Sequence, residues 1–233
     1  MIPASLNTTI MNWVDLSVDL VSFYSMENNV GTTLTDDSGN GNNGTISGAV
    51  DSVGVDGGNA LDFDGVNDFC SISSVYNGSA VTTISVWCYI AAAPSVTEII
   101  YSQERTSTPA GSNRSIIINT DGTFRAITRN TSGGNASIIS AVQPFPNWFN
   151  IILRQDGAAL DLDVGVLGST LTHAGAAVLS GTPASFVGPG RIGCRVNIPG
   201  TTNELFFDGK VDLVREYDTY KSDDFVQALF GEV

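Results

Sequence analysis

Basic residues are scarce in this chain: ten Lys and Arg stand against 24 Asp and Glu, for a net charge of −14. A surface of that sign repels a phosphate backbone and an anionic headgroup alike, so neither nucleic acid nor a membrane is expected as a partner. Cysteine is scarcer still. Cys70, Cys88 and Cys194 are odd in number and lack C-x-x-C spacing, which excludes a complete disulfide framework and argues against zinc. Cys88, in the apolar run Ser85-Val86-Trp87-Cys88-Tyr89-Ile90, reads as a small core hydrophobe. The one histidine, His173, has no Gly-x-Ser-x-Gly turn to serve. It reads as a loop or edge residue rather than a catalytic base. No stretch approaches the ~18 apolar residues of a membrane helix. The opening residues have no basic region leading into an apolar run, so no secretory signal is expected.

What the chain has in quantity is turn chemistry and apolar strand formers. There are 25 glycines, and hydrophobic residues make up 42% of the chain. That is enough to bury a core over 233 residues in one large domain. Asp-Gly occurs five times, at Asp56, Asp64, Asp121, Asp156 and Asp208, and suits the tight turns of hairpins. Two of these pairs sit between good strands, within Ser115–Thr128 and Trp148–Val164. In the second hairpin Leu160, Leu162 and Val164 alternate with Asp161 and Asp163, predicting one buried and one wet face.

Further strands are predicted over Asp19–Ser25, Ala60–Phe63, Phe69–Ser73, Ile84–Ile90, Ile99–Gln103, Ser137–Val142, Arg191–Cys194 and Gly209–Tyr217. The pattern predicts an all-β, antiparallel two-sheet jelly-roll sandwich. Only the end reads as helix: Ser222 is an N-cap, Asp223 and Asp224 suit the positive end of the dipole, and Phe225, Val226, Leu229 and Phe230 form an apolar face. Residues 1–18 match the strand pattern least and read as an N-terminal arm before a sandwich domain spanning 19–233.

Five blocks, taken in order, resemble the laminin-G-like domains of the concanavalin-A-like lectin and glucanase superfamily. They are Leu20 to Glu27 with Asp36 to Thr45; Gly58 to Phe69; Ile84-Ser85-Val86-Trp87; Trp148 to Gly157; and Arg191-Ile192-Gly193 with Phe207 to Tyr217. The resemblance covers about residues 19 to 230 and implies the sandwich fold. It also places Trp87 and Trp148 at positions packed inside such domains.

Members of that family often hold structural Ca²⁺ in loops of this kind. Here Asp36, Asp37, Asn40 and Asn43 supply oxygens in one loop and Asp64 and Asp68 in another, and Ca²⁺ asks for about six to eight of them. The alternative is that these side chains cap turns. The glucanases carry Glu-x-Asp-x-Glu or a near variant on one strand, and none of the six Glu here has that spacing. No catalytic residue is therefore assigned and no enzyme activity is expected. For a stacked sugar, Trp13, Tyr76, Tyr101 and Tyr220 are the available aromatics.

A sandwich of this resemblance with nothing catalytic and no export signal is expected at a virion surface after synthesis in the host cytoplasm. There it would act as a capsid decoration or a tail or fibre accessory protein of a bacteriophage. Its partners would be other virion proteins or further copies of itself through the arm, with surface glycans as a ligand. The alternatives are a free-standing extracellular carbohydrate-binding module and, third, a concanavalin-A-like glycoside hydrolase.

Overall fold

The computed structural model describes residues 14–72, 80–104, 112–184, 190–197 and 202–233. The arm residues Ile10, Met11 and Trp13, and Tyr76, lie outside them. In chain order the strands are β1 (Leu20–Tyr24), β2 (Thr33–Leu34), β3 (Gly44–Ser47), β4 (Val50–Val53), β5 (Asn59–Asp64), β6 (Phe69–Ile72), β7 (Val81–Ile90), β8 (Glu98–Glu104) and β9 (Ser112–Ile118). They continue with β10 (Thr123–Arg129), β11 (Asn135–Val142), β12 (Asn147–Asp156), β13 (Ala159–Val166), β14 (Leu171–Val178), β15 (Gly190–Ile192), β16 (Arg195–Asn197), β17 (Thr202–Glu204) and β18 (Asp208–Tyr217). A single helix, α1 (Asp223–Phe230), follows.

Sixteen of these strands build two eight-stranded antiparallel sheets, and β16 and β17 pair as a separate two-stranded ribbon. The first runs β14-β13-β12-β7-β18-β5-β4, with β1 also paired to β18; the second runs β11-β10-β9-β8-β15-β6-β3-β2. The predicted all-β jelly-roll sandwich with a short terminal helix is the architecture found. β14 was not anticipated, because its Leu-Thr-His-Ala-Gly-Ala-Ala-Val run lacks the bulky residues that mark a strand.

The core lies between the sheets. Ile84, Val86 and Cys88 of β7, Phe149, Ile151 and Leu153 of β12, and Leu160, Leu162 and Val164 of β13 all point into it. Phe149 meets Phe124 of the opposite sheet edge-on, with centroids 5.2 Å apart. Inward alternation therefore sends the intervening residues of these strands to the outer face of the first sheet.

Much of that outer face is covered. Helix α1 begins at Ser222, whose Oγ accepts a hydrogen bond from Phe225 N, and seats Phe225, Val226 and Leu229 on Ile152 and Tyr217. Phe230 stacks on Trp87 at 5.7 Å. Gly165 lies beneath the same ring, where any Cβ would collide with it. Val14 and Leu16, at the described end of the arm, pack on this cluster too, and the Tyr217 hydroxyl donates to the Leu16 carbonyl at 3.0 Å. That part of the arm lies against its own sandwich.

Neither Trp87 nor Trp148 lies between the sheets. Trp87 is fully buried, but under the helix rather than between the sheets. Trp148 is only half-buried, because the inward position on β12 belongs to Phe149, and its ring lies beside Tyr89 on the outer face at 5.7 Å.

Candidate functional site

The six oxygen-bearing residues of the expected calcium loops are all described, and each is engaged in a turn. Asp36 Oδ1 accepts from the N–H groups of Phe23 and Ser38, and Oδ2 from that of Asn42. Asn43 Oδ1 accepts from Asp36 N. Asp37 accepts from Ser25 and Asn28, while Asn40 donates its amide to the carbonyls of Leu20 and Val21. In the second loop Asp64 caps Val66 and Asn67, and Asp68 Oδ2 accepts from Asp64 N.

Among the described residues no group of three His, Cys, Asp or Glu side chains is placed to hold a metal ion, so the four aspartates of the two loops do not gather round one point. The donor set fits turn capping better than Ca²⁺. The melting temperature is accordingly expected to be the same in EDTA and in added Ca²⁺, as read by differential scanning calorimetry. Asp36→Ala is expected to lose about 2–3 kcal/mol, since a buried carboxylate bonded to several N–H groups would be removed. A drop in melting temperature with EDTA alone would restore the metal.

Elsewhere the structure gathers residues that the sequence left apart. The Asp156-Gly157 turn sets the register of β12 and β13, so that Arg154 pairs with Asp161 and Ile152 with Asp163. A bulge in the pairing of β13 with β14 then puts His173 opposite Asp163. The start of α1 and the loop before it bring Asp223, Gln227 and Tyr220 over the same spot. Together these line a cleft of about 430 Å³ on the outer face.

Arg154 forms its floor. It is 2% exposed, with Nη2 2.9 Å from Asp163 Oδ2 and Nη1 2.7 Å from Asp223 Oδ1. Nη1 also donates to the Lys221 carbonyl at 3.0 Å. Burial disfavours its charge, but the Asp223 and Asp163 carboxylates outweigh that and raise its pKa.

Asp163 is the chief departure from the predicted wet face: it is 3% exposed, because the helix covers its row and the guanidinium neutralises it. Its other oxygen, Oδ1, accepts from His173 Nδ1 at 3.0 Å. That bond turns the imidazole so that Nε2 faces Asp161 Oδ1 at 3.8 Å. Tyr220 completes the wall. Its ring lies 5.0 Å from the Arg154 guanidinium and its hydroxyl donates to Asp161 Oδ2 at 2.9 Å. Burial first, then that bond, push the phenol up to about 12, so it stays protonated at neutral pH.

Of the aromatics singled out for sugar stacking, Tyr220 alone is both described and exposed. Tyr101 is fully buried between the sheets, where its hydroxyl is hydrogen-bonded to Glu216; Trp13 and Tyr76 lie outside the described residues. Arg154 went unnoticed in the sequence. The signal was present: a guanidinium in Ile151-Ile152-Leu153-Arg154-Gln155, two residues from a hairpin turn, falls opposite Asp161 by counting.

No family model matches the chain, and no curated protein does. Solved structures do match its fold. The binding domain of paraclostridial mosquitocidal protein 1 superposes with a TM-score of 0.70 at 14% identity, over 93% of this chain and 52% of that one. The ligand-binding domain of botulinum neurotoxin serotype D, in complex with N-acetylneuraminic acid, gives 0.68 at 10% identity, over 92% and 51%. Trypanosoma rangeli sialidase with the inhibitor DANA gives 0.65 at 14% identity, over 91% and 32%. The chain thus spans from about a third to about half of these structures' length. The likeness is one of fold, a jelly-roll sandwich used by binding domains and by an enzyme alike.

Proposed function

We propose that this is a non-catalytic carbohydrate-binding sandwich of laminin-G-like kinship, and that it takes a neutral sugar in the Tyr220 cleft. The observation that carries the reading is the set of groups at that one spot. A partly exposed aromatic ring stands beside the carboxylates of Asp161 and Asp223, the His173 imidazole and the Gln227 amide. Rings stack on the C–H face of a pyranose, and carboxylate, imidazole and amide groups accept from and donate to its hydroxyls.

Charge selects among sugars. The carboxylates of Asp161, Asp163 and Asp223 face the lone guanidinium of Arg154, so the cleft is net negative and opposes a carboxylated sugar. The N-acetylneuraminic acid bound by the toxin domain is therefore not carried over. The same arrangement argues against hydrolysis: Asp163 is locked in an ion pair and Asp161 in a hydrogen bond to a phenol, which leaves neither as a free acid–nucleophile pair. None of the structures named above points to a virus particle, and the reading is confined to glycan binding.

The test is a glycan array followed by calorimetric titration of the best neutral oligosaccharide. Tyr220→Ala is expected to weaken binding on the order of tenfold, about 1.4 kcal/mol, and Tyr220→Phe less, since it keeps the ring. Release of reducing sugar from any array hit, or full affinity in Tyr220→Ala, would overturn the reading.

A further inference from the structure

A second cleft opens on the same face of the first sheet, towards the other end of β12. Arg154 and Trp148 are six positions apart on β12, so the two clefts are offset by roughly 20 Å along the strands, and by several strands across the sheet as well. Register composes the row of side chains that crosses the sheet there. Asp62 pairs with Lys210, Lys210 with Tyr89, and Tyr89 with Trp148. Their chain neighbours Leu61, Val211, Cys88 and Phe149 fill the core, so this row faces outward.

The tilted pair of Tyr89 and Trp148 rings is half-buried, and the Lys210 ammonium lies 5.8 Å from the Tyr89 centroid. A cleft of about 320 Å³ lies over Asp62, Tyr89 and Lys210, with Glu98 and Asp208 on one wall and the short side chains after β7 on another. Those short side chains, Ala91, Ala92 and Ala93, are exposed and leave the opening wide. Gly209, beside Lys210, crosses so close to the Tyr89 carbonyl that no Cβ would fit. Glu98 is 6% exposed yet lines this cleft, and its Oε2 accepts from Asp208 N at 3.1 Å. Burial pushes its carboxyl up to about 7.

We infer that this cleft is a second sugar-contact site, taking another neutral pyranose unit of the same polymer on the Tyr89 ring, with Lys210 donating to its hydroxyls and Asp62 accepting from them. The inference rests on the carbohydrate-binding reading above. It adds that the natural ligand is a polysaccharide held at two points, one on each side of the Phe230–Trp87 stack, so that the second contact raises avidity. An ammonium among carboxylates beside an aromatic ring suits hydroxyls, which both give and take hydrogen bonds, better than it suits a charged ligand.

The experiment uses the full chain and four neutral polymers, dextran, starch, galactomannan and mixed-linkage β-glucan, with the disaccharide of each. Tryptophan emission and affinity are followed in the parent protein and in Tyr89→Ala, Lys210→Met, Trp148→Phe and Tyr220→Ala. The expected result is an emission change on polymer binding that Trp148→Phe removes. Polymer affinity is expected to fall about tenfold or more in Lys210→Met and Tyr89→Ala. Lys210→Met keeps the aliphatic stem and preserves the test should Tyr89→Ala misfold. If Tyr220→Ala abolishes binding while Lys210→Met and Trp148 emission are indifferent, the second site is overturned and the first stands. If the reverse holds, the second stands and the Tyr220 cleft falls. If no polymer binds, both fall.

Discussion

Arg154→Met is expected to lower folding stability by about 3–5 kcal/mol in equilibrium urea unfolding. Arg154 is 2% exposed and its partner Asp163 is 3% exposed, so removing the guanidinium leaves a carboxylate buried without a counter-ion. The loss spreads to the cleft. The Tyr220 ring gives up the cation beneath it, and Asp223, at the first turn of α1, gives up its tether to the sheet. The double variant Arg154→Met with Asp163→Leu removes both charges and is expected to recover most of the stability. It should still bind no sugar, because His173 then has no carboxylate to orient it. A single variant that costs under about 1 kcal/mol would mean that water reaches Asp163 in solution, since exposed ion pairs are worth no more.

Folding stability is also expected to fall as pH rises from about 4 to about 7, the direction opposite to ordinary acid denaturation. Asp212 is 1% exposed, and burial pushes its carboxyl up to about 7 against the pull of the Val55 and Leu213 N–H groups. Burial likewise takes Glu98 to about 7 and raises Glu216, which sits fully enclosed between the sheets. Over that range the folded chain holds protons that the unfolded chain has already released, so each step up in pH favours the unfolded state. At ~1.4 kcal/mol per pH unit, Asp212 and Glu98 are each expected to take away on the order of 2–3 kcal/mol. Below about 4 the trend reverses, because Asp36, held under its ordinary pKa by backbone N–H groups despite burial, must then be protonated. Urea titrations across the range should show a maximum in mild acid, and Asp212→Asn and Glu98→Gln should each flatten the descent. Stability that climbs steadily to pH 8 would refute the assignment.

Much of the fold was legible in the residues because alternation and turn chemistry act locally. The Asp156-Gly157 hairpin, the inward set of Leu160, Leu162 and Val164, and the Ser222 cap were all readable one residue at a time. The site was not, for a physical reason. Asp161 and Asp163 look like a solvated strand face until a helix some 60 positions later in the chain lies over them, and no local pattern records that cover. Trp148 was misplaced although the local pattern places it. A tryptophan and a phenylalanine in succession on a strand must face opposite ways, and the count back from the Asp156-Gly157 turn that sets Phe149 opposite Val166 puts the phenylalanine on the inward side. Tyr89 and Lys210 went unremarked because each is unexceptional alone and acquires meaning only as a neighbour across strands.

The cover on the outer face carries a consequence for biogenesis. Trp87, Ile152 and Tyr217 are all synthesised before the helix that shields them, and Val14 and Leu16 close over the same patch from the other end of the chain. While the chain is being made, that apolar patch stands open to water until Phe225, Leu229 and Phe230 have emerged. A chain that ends before Ser222 is expected to display that patch as a sticky face to other nascent copies. The yield of soluble material is therefore expected to depend more on Phe225, Leu229 and Phe230 than on a comparable stretch of strand.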